Sequence, residues 1–315
     1  MKKIYILLIA LIFIRCTGSN NNHVEKVKVD GLGSFDLTPD NKSIIFAYTI
    51  KSKTALYKCD INGLSPKLLL MNDSVGDIFN PKCSPDGKKV VFIATKKKST
   101  LKSSVWIINV DGSELTRLTD SSRLITEATF SNDNDLIYYC TAKEVKSYSP
   151  IVSASAHDFD IYSVNIESKN SYKLSNLHAY GIQNIVDFDS ERLLIQLPAQ
   201  GVYFYNKNSQ ANIHQIAPKN NKNVNPISYS NPVVINQSLI GLVSYYQLIV
   251  FSLPDMNQKV IFSTHGAAQF NTLRSYKKEN KLIFTLSDDS NNFYSIDFKN
   301  GESHEIHILL DNEHI

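Results

Sequence analysis

Ser84-Pro85-Asp86-Gly87-Lys88-Lys89-Val90-Val91-Phe92, followed by Val105-Trp106-Ile107-Ile108-Asn109-Val110-Asp111-Gly112 and then Leu118-Thr119, decides the fold. Pro85 pre-sets φ for the second position of a type I turn. Asp86 can bond its own backbone, and Gly87 accepts the left-handed position that follows. The apolar runs on either side of this turn are rich in Val, Ile, Phe and Trp, residues that favour strands. The span from Asn80 to Asp120 thus reads as four short strands, with a tight turn after the first and another after the third.

Variants of this unit recur along the chain. The third-strand pattern, an aromatic residue followed within three positions by Asp or Asn, appears at Leu56-Tyr57-Lys58-Cys59-Asp60, at Val105 to Asn109 and at Ile161-Tyr162-Ser163-Val164-Asn165. It returns at Val202-Tyr203-Phe204-Tyr205-Asn206 and Phe293-Tyr294-Ser295-Ile296-Asp297, with a degenerate copy at Leu248 to Ser252. The steps from 57 to 106, 162, 203, 249 and 294 are 49, 56, 41, 46 and 45 residues. Six units of roughly 45 residues are the period of a four-stranded propeller blade. The first-hairpin turn recurs as Thr38-Pro39-Asp40-Asn41 and Ser131-Asn132-Asp133-Asn134, and fades in later units. A β-sandwich would need no aromatic at one fixed strand position. The fold class is therefore all-β, a six-bladed β-propeller of four-stranded antiparallel blades spanning 34–315.

Ser84-Pro85-Asp86-Gly87-Lys88 with Val90-Val91-Phe92, and Trp106-Ile107-Ile108-Asn109-Val110-Asp111-Gly112 with Leu118-Thr119, resemble the WD-repeat-like propeller of the TolB family. Propellers of the dipeptidyl peptidase IV and oligogalacturonate lyase types are similar. The likeness is strong in the first three units and weak in the last three, and it speaks to fold far more than to activity. TolB-type proteins carry an α/β domain before the propeller. Here only Asn20 to Gly33 separate the N-terminal apolar segment from the first unit, so the family's lipoprotein partner does not transfer directly. No Gly-x-Ser-x-Gly nucleophile elbow is present.

The chain has 315 residues, 43% hydrophobic and 20% charged, which suits a globular protein with a full core. A net charge of +3 gives no argument for nucleic acid. Met1-Lys2-Lys3 and the apolar run Ile4–Ile14 read as a signal peptide over 1–15. Its eleven apolar residues fall short of the roughly 20 that span a bilayer. Cys16 follows, then a polar tether through 33 that includes Val24–Val29, whose alternation makes it a candidate strand to close the ring, the other candidate being His304–Leu309. This resembles a bacterial lipoprotein signal, which implies lipidation of Cys16 and anchorage in the cell envelope, on the periplasmic side or at the outer-membrane surface. Arg15 before the cysteine departs from the usual small residue, and plain secretion is the other reading. Cys59, Cys83 and Cys140 lie in strand runs and read as small buried hydrophobes.

In such a blade the a–b and c–d turns share one face, and the b–c and d–a loops share the other. The tight turns leave the first face with little to bind with. The second face collects the long Thr141–Asp160 segment with Tyr148 and His157, a basic sector of Lys96, Lys97, Lys98 and Lys102, and the d–a loop residues Arg123, His178, Tyr180 and His265. These ten residues form the expected binding set. No catalytic residue, metal or other cofactor is assigned. The expected role is non-enzymatic binding of an envelope protein or glycan by a monomer that meets the membrane only through its lipid. Two alternatives stand beside it. The lyase resemblance implies a metal-assisted polysaccharide lyase or hydrolase built on His178, His265 and His157, and the TolB resemblance implies an assembly scaffold of the Tol-Pal kind.

Overall fold

The computed structural model describes residues 31–71, 75–97, 99–147, 154–219, 224–264, 268–276, 279–289 and 291–308. Cys16, Lys98, Tyr148, His265 and the candidate closing strand Val24–Val29 lie outside these residues.

Among the described residues, twenty-four strands form six separate four-stranded antiparallel sheets. Blade one comprises β1 (Gly31–Leu37), β2 (Ser43–Ile50), β3 (Lys53–Asp60) and β4 (Lys67–Leu70). Blade two follows with β5 (Ile78–Cys83), β6 (Lys89–Thr95), β7 (Ser103–Asn109) and β8 (Thr116–Arg117). Blade three holds β9 (Ile125–Phe130), β10 (Leu136–Lys146), β11 (Ser155–Asn165) and β12 (Ser171–Lys173). Blade four is β13 (Gln183–Asp187), β14 (Arg192–Leu197), β15 (Gly201–Asn206) and β16 (Ile213–Gln215). Blade five is β17 (Tyr229–Asn236), β18 (Leu239–Ser244), β19 (Gln247–Ser252) and β20 (Asn257–Ser263). Blade six is β21 (Phe270–Ser275), β22 (Lys281–Leu286), β23 (Asn292–Asp297) and β24 (Ser303–His307). The molecule is a six-bladed β-propeller, as its repeat period requires.

The recurring turn is built the same way three times. Ser84 Oγ donates to Asp86 Oδ1 at 2.6 Å, Gly87 N–H donates to Ser84 O at 2.9 Å, and Lys89 N–H donates to Ser84 Oγ at 2.9 Å. Thr38 with Asp40 and Ser131 with Asp133 repeat these bonds. Asn41, Gly87 and Asn134 occupy the left-handed position, at φ 60°, 74° and 67°. The recurring strand-c aromatic faces strand b in cross-strand pairs, namely Phe46 with Tyr57, Phe92 with Trp106, Tyr139 with Tyr162 and Phe284 with Tyr294. The Asp or Asn that closes strand c caps the c–d turn. Asp60 Oδ1 accepts the N–H groups of Asn62 and Leu64, Asn206 Oδ1 that of Asn208, and Asp297 Oδ1 that of Lys299. The acidic end of the motif is turn chemistry, not a ligand.

Six apolar clusters fill the six junctions between neighbouring blades. One of them joins Phe35, Phe46 and Tyr57 of blade one to Ile283 and Phe293 of blade six. The ring closes on that packing, and β24 supplies the fourth strand of blade six from within the same blade. Gly63, in the c–d turn of blade one, sits at φ 83°, and a Cβ there would meet His307 O at 2.2 Å. Gly63→Ala therefore adds left-handed strain of roughly 1–2 kcal/mol to overpacking of about 1–3 kcal/mol. Urea unfolding should show a loss of about 2 kcal/mol or more, and an unchanged midpoint would mean that this seam adapts freely. Cys59 and Cys140 are buried and Cys83 is half-buried, and burial pushes the Cys59 thiol up to about 12.

Candidate functional site: the axial cavity

Strand a of every blade is innermost, and each pairs with strand b through a bulge or register shift. Asn80, Asn184 and Asn231 occupy this point with φ near +50°, a conformation that Asn tolerates better than most residues. Turned this way, their side chains reach the next blade. Asn80 Nδ2 donates to Thr126 O at 2.9 Å and to Glu127 Oε1 at 3.0 Å. Asn184 Nδ2 donates to Asn231 Oδ1 at 3.0 Å, and Asn231 Nδ2 donates to Phe270 O at 3.2 Å. These bonds tie neighbouring inner strands together around the axis.

Beyond this belt, toward the a–b turns, lies a cavity of about 600 Å³, within the range of roughly 300–1,000 Å³ usual for ligand pockets. All six inner strands contribute to its wall. Asp36, Lys82, Asp187, Arg274, Asn132 and Gln237 supply polar groups, and Phe130, Val234 and three prolines supply apolar ones. Arg274 Nε meets Asp36 Oδ1 at 2.9 Å, an ion pair between blades six and one. Asp36 Oδ2 accepts the Cys83 N–H of blade two at 2.7 Å. Asp187 Oδ1 meets Lys207 Nζ at 2.6 Å, and Asp187 Oδ2 accepts the Asn132 N–H at 2.8 Å.

Lys82 is only 8% exposed. Burial, and next the charge of Arg274, hold its ammonium down to about 8, against the pull of Asp36 and Glu127. Glu127 is pushed up by burial. The sign of the Lys82 effect is definite. Between about 8 and its unfolded value near 10.4 the unfolded chain binds the proton more tightly, so stability rises with pH across that window. Lys82→Met should therefore unfold at or above the wild-type temperature at neutral pH and lose that rise. A melting temperature several degrees lower would instead make the ammonium a structural group.

The face framed by the tight a–b turns, expected to have little to bind with, thus carries a cavity. Elsewhere the expected binding residues separate into two groups. Lys102 and Arg123 share a cleft of about 340 Å³ with Lys143 and Glu144, next to the exposed Lys96 and Lys97. His157, His178 and the exposed Tyr180 gather at the blade-three hairpin, where β10 and β11 run to eleven residues each. His157 Nε2 is 2.8 Å from Ser155 Oγ, and its ring centroid is 6.0 Å from that of Tyr180.

His178 Nδ1 lies 2.5 Å from Asp158 Oδ1. With Asp160 these make the group among the described residues whose donor atoms could surround a metal ion. The donor set does not fit that role. Asp160 already accepts from Ser175 Oγ and Leu177 N–H and pairs with Lys173 at 2.8 Å, while Asp158 pairs with Lys143 at 3.3 Å. Two lysines among the ligands oppose a cation. Chelation with EDTA should leave the melting temperature unchanged, and a clear drop would reinstate a metal here.

A closed six-bladed propeller with an axial cavity lined by all six inner strands is the class that fold and site define. Within that class, the fold is that of the TolB-like propellers. TolB from Acinetobacter baumannii superposes with a TM-score of 0.61 at 12% identity, over 88% of this chain and 63% of that one. An oligogalacturonate lyase in complex with manganese gives 0.57 at 11% identity, over 87% and 77%. The tricorn protease gives 0.62 at 17% identity, over 90% of this chain and 27% of that one. The chain thus spans less than two thirds of the TolB structure, and at these identities the likeness is one of fold. No family model and no curated protein matches the sequence.

Proposed function

We propose that this chain is a non-enzymatic binding protein of the bacterial cell envelope, exported by its N-terminal segment and lipid-anchored through Cys16. It engages a protein or glycan partner at the axial cavity. The observation that carries this reading is the cavity itself: all six blades converge on a concave, mixed polar and apolar wall that includes a buried ammonium. The TolB-like fold is consistent with an envelope setting. Among the described residues no helix is long and apolar enough to cross a membrane. On the opposite face His157 and His178 serve local bonds, which does not favour the lyase reading among the described residues.

The test is affinity capture from envelope extracts with three forms of the protein. The intact chain should retain a specific partner. Thr129→Trp, which fills the cavity wall, should lose it while melting normally. Shortening the hairpin between 143 and 157 should leave capture unchanged, whereas loss of capture in that form alone would move the interface to the loop-rich face. Metal-dependent turnover of a polysaccharide by purified protein would overturn the non-enzymatic reading.

A further inference from the structure

Every carboxylate on the cavity wall has its partners within the protein. Asp36 is engaged on both oxygens, by Arg274 and by the Cys83 N–H. Asp187 is held by Lys207 and the Asn132 N–H. Glu127, below the floor, accepts from Asn80. Arg274 forms an ion pair with Asp36, and its Nη1 donates to Leu273 O at 2.7 Å. Lys82 differs: among the described residues its ammonium makes no hydrogen bond and no ion pair, although it is more than nine-tenths buried and lines the cavity. A buried cation without a counter-group is costly to keep. A hydrophobic residue of similar length would fill the space at lower cost.

We propose that the axial cavity binds a carboxylate carried on an aliphatic body, with Lys82 Nζ as the anion's partner. The inference rests on the cavity being the engagement site, and it adds the chemistry of what enters. One uncommitted ammonium suits a monoanion. A phosphate dianion would want a second free cation, and Arg274 is already engaged. Pro232, Val233, Val234 and Ile235 of blade five line the same cavity, across the ring from Lys82 of blade two, so the body attached to the carboxylate meets aliphatic surface. A sugar acid anchored at Lys82 would set hydroxyls against the aliphatic blade-five side, where they find no partners.

The pH dependence follows from the groups around Lys82. Arg274 opposes its charge, Asp36, Glu127 and Cys83 favour it, and burial dominates. A bound carboxylate adds a favourable charge, so binding is strong while the ammonium is protonated and weakens once it is not.

Isothermal titration of the folded chain with N-acetyl-L-leucine, N-acetyl-L-leucinamide, D-glucuronate and inorganic phosphate tests this. N-acetyl-L-leucine should bind near pH 6.5, and at least about tenfold more weakly near pH 9.5, since a hydrogen bond to a charged group contributes about 1.5–3 kcal/mol. Lys82→Met and the leucinamide probe should each weaken binding by about tenfold or more. Lys82→Arg, which keeps a cation, should retain it and so guards against a folding artefact. Absence of binding, or equal binding by Lys82→Met or the amide, overturns the proposal. Tighter binding of phosphate or glucuronate overturns the ligand class. If Thr129→Trp abolishes partner capture while small carboxylates ignore the cavity, the proposed function stands and the carboxylate assignment falls. If carboxylates bind but no partner is captured, the outcome is reversed.

Discussion

Asp36→Ala is expected to lower the unfolding free energy by about 3–5 kcal/mol, the usual cost of breaking a buried ion pair by removing one partner. Its carboxylate joins three blades, taking Arg274 from blade six and the Cys83 N–H from blade two onto a strand of blade one. Without it, Arg274 loses its paired carboxylate, and Lys82 loses one of the charges that favour its ammonium. The double variant Asp36→Leu with Arg274→Met should recover most of that loss, because a well-packed apolar pair avoids desolvating either charge. Urea unfolding of the single and double variants completes the cycle. A loss under about 1 kcal/mol in Asp36→Ala would place this pair with weakly contributing surface ion pairs.

Asp160→Ala is expected to cost about 3–5 kcal/mol by the same principle, with a different local outcome. Asp160 is only 2% exposed, and its Oδ1 accepts from Ser175 Oγ at 2.9 Å, Leu177 N–H at 2.6 Å and His178 N–H at 3.3 Å. Its other oxygen faces Lys173 at 2.8 Å, on a partly exposed side chain whose share is screened. These bonds hold the d–a loop of blade three against β11 and keep His178 at φ 48°. Asp160→Asn retains an acceptor for the N–H groups and loses only the ion pair, so it should cost about 1–2 kcal/mol. Thermal unfolding and the His178 imidazole resonances would check both variants. Equal losses in Ala and Asn would show that charge, not acceptance, holds the loop.

The parts of this molecule that sequence could reveal are those written locally. The Ser-Pro-Asp-Gly turn carries its own bonds within five residues, and the strand-c aromatic recurs once per blade, so blade count and register were legible. The axial cluster was not. Asp36, Lys82, Glu127, Asp187 and Arg274 come from five blades, and each is a single charge on one inner strand with no fixed spacing to the next. Lys82 stands only two residues before the turn that identifies the fold. The available signal was a charge set between apolar residues on an innermost strand, as in Phe35-Asp36-Leu37 and Pro81-Lys82-Cys83. Rim residues such as Lys96 and Tyr180 drew attention because long polar loops are visible in sequence, whereas concavity is a property of the closed ring.

That ring is sealed by side chains between two blades that are each complete in themselves. The junction of blades one and six is therefore chemically of the same kind as the other five, and the order of blades around the disc is independent of where the chain is cut. Circular permutants opened at another blade junction, with a flexible linker across the present seam, should fold to the same disc and keep the same cavity.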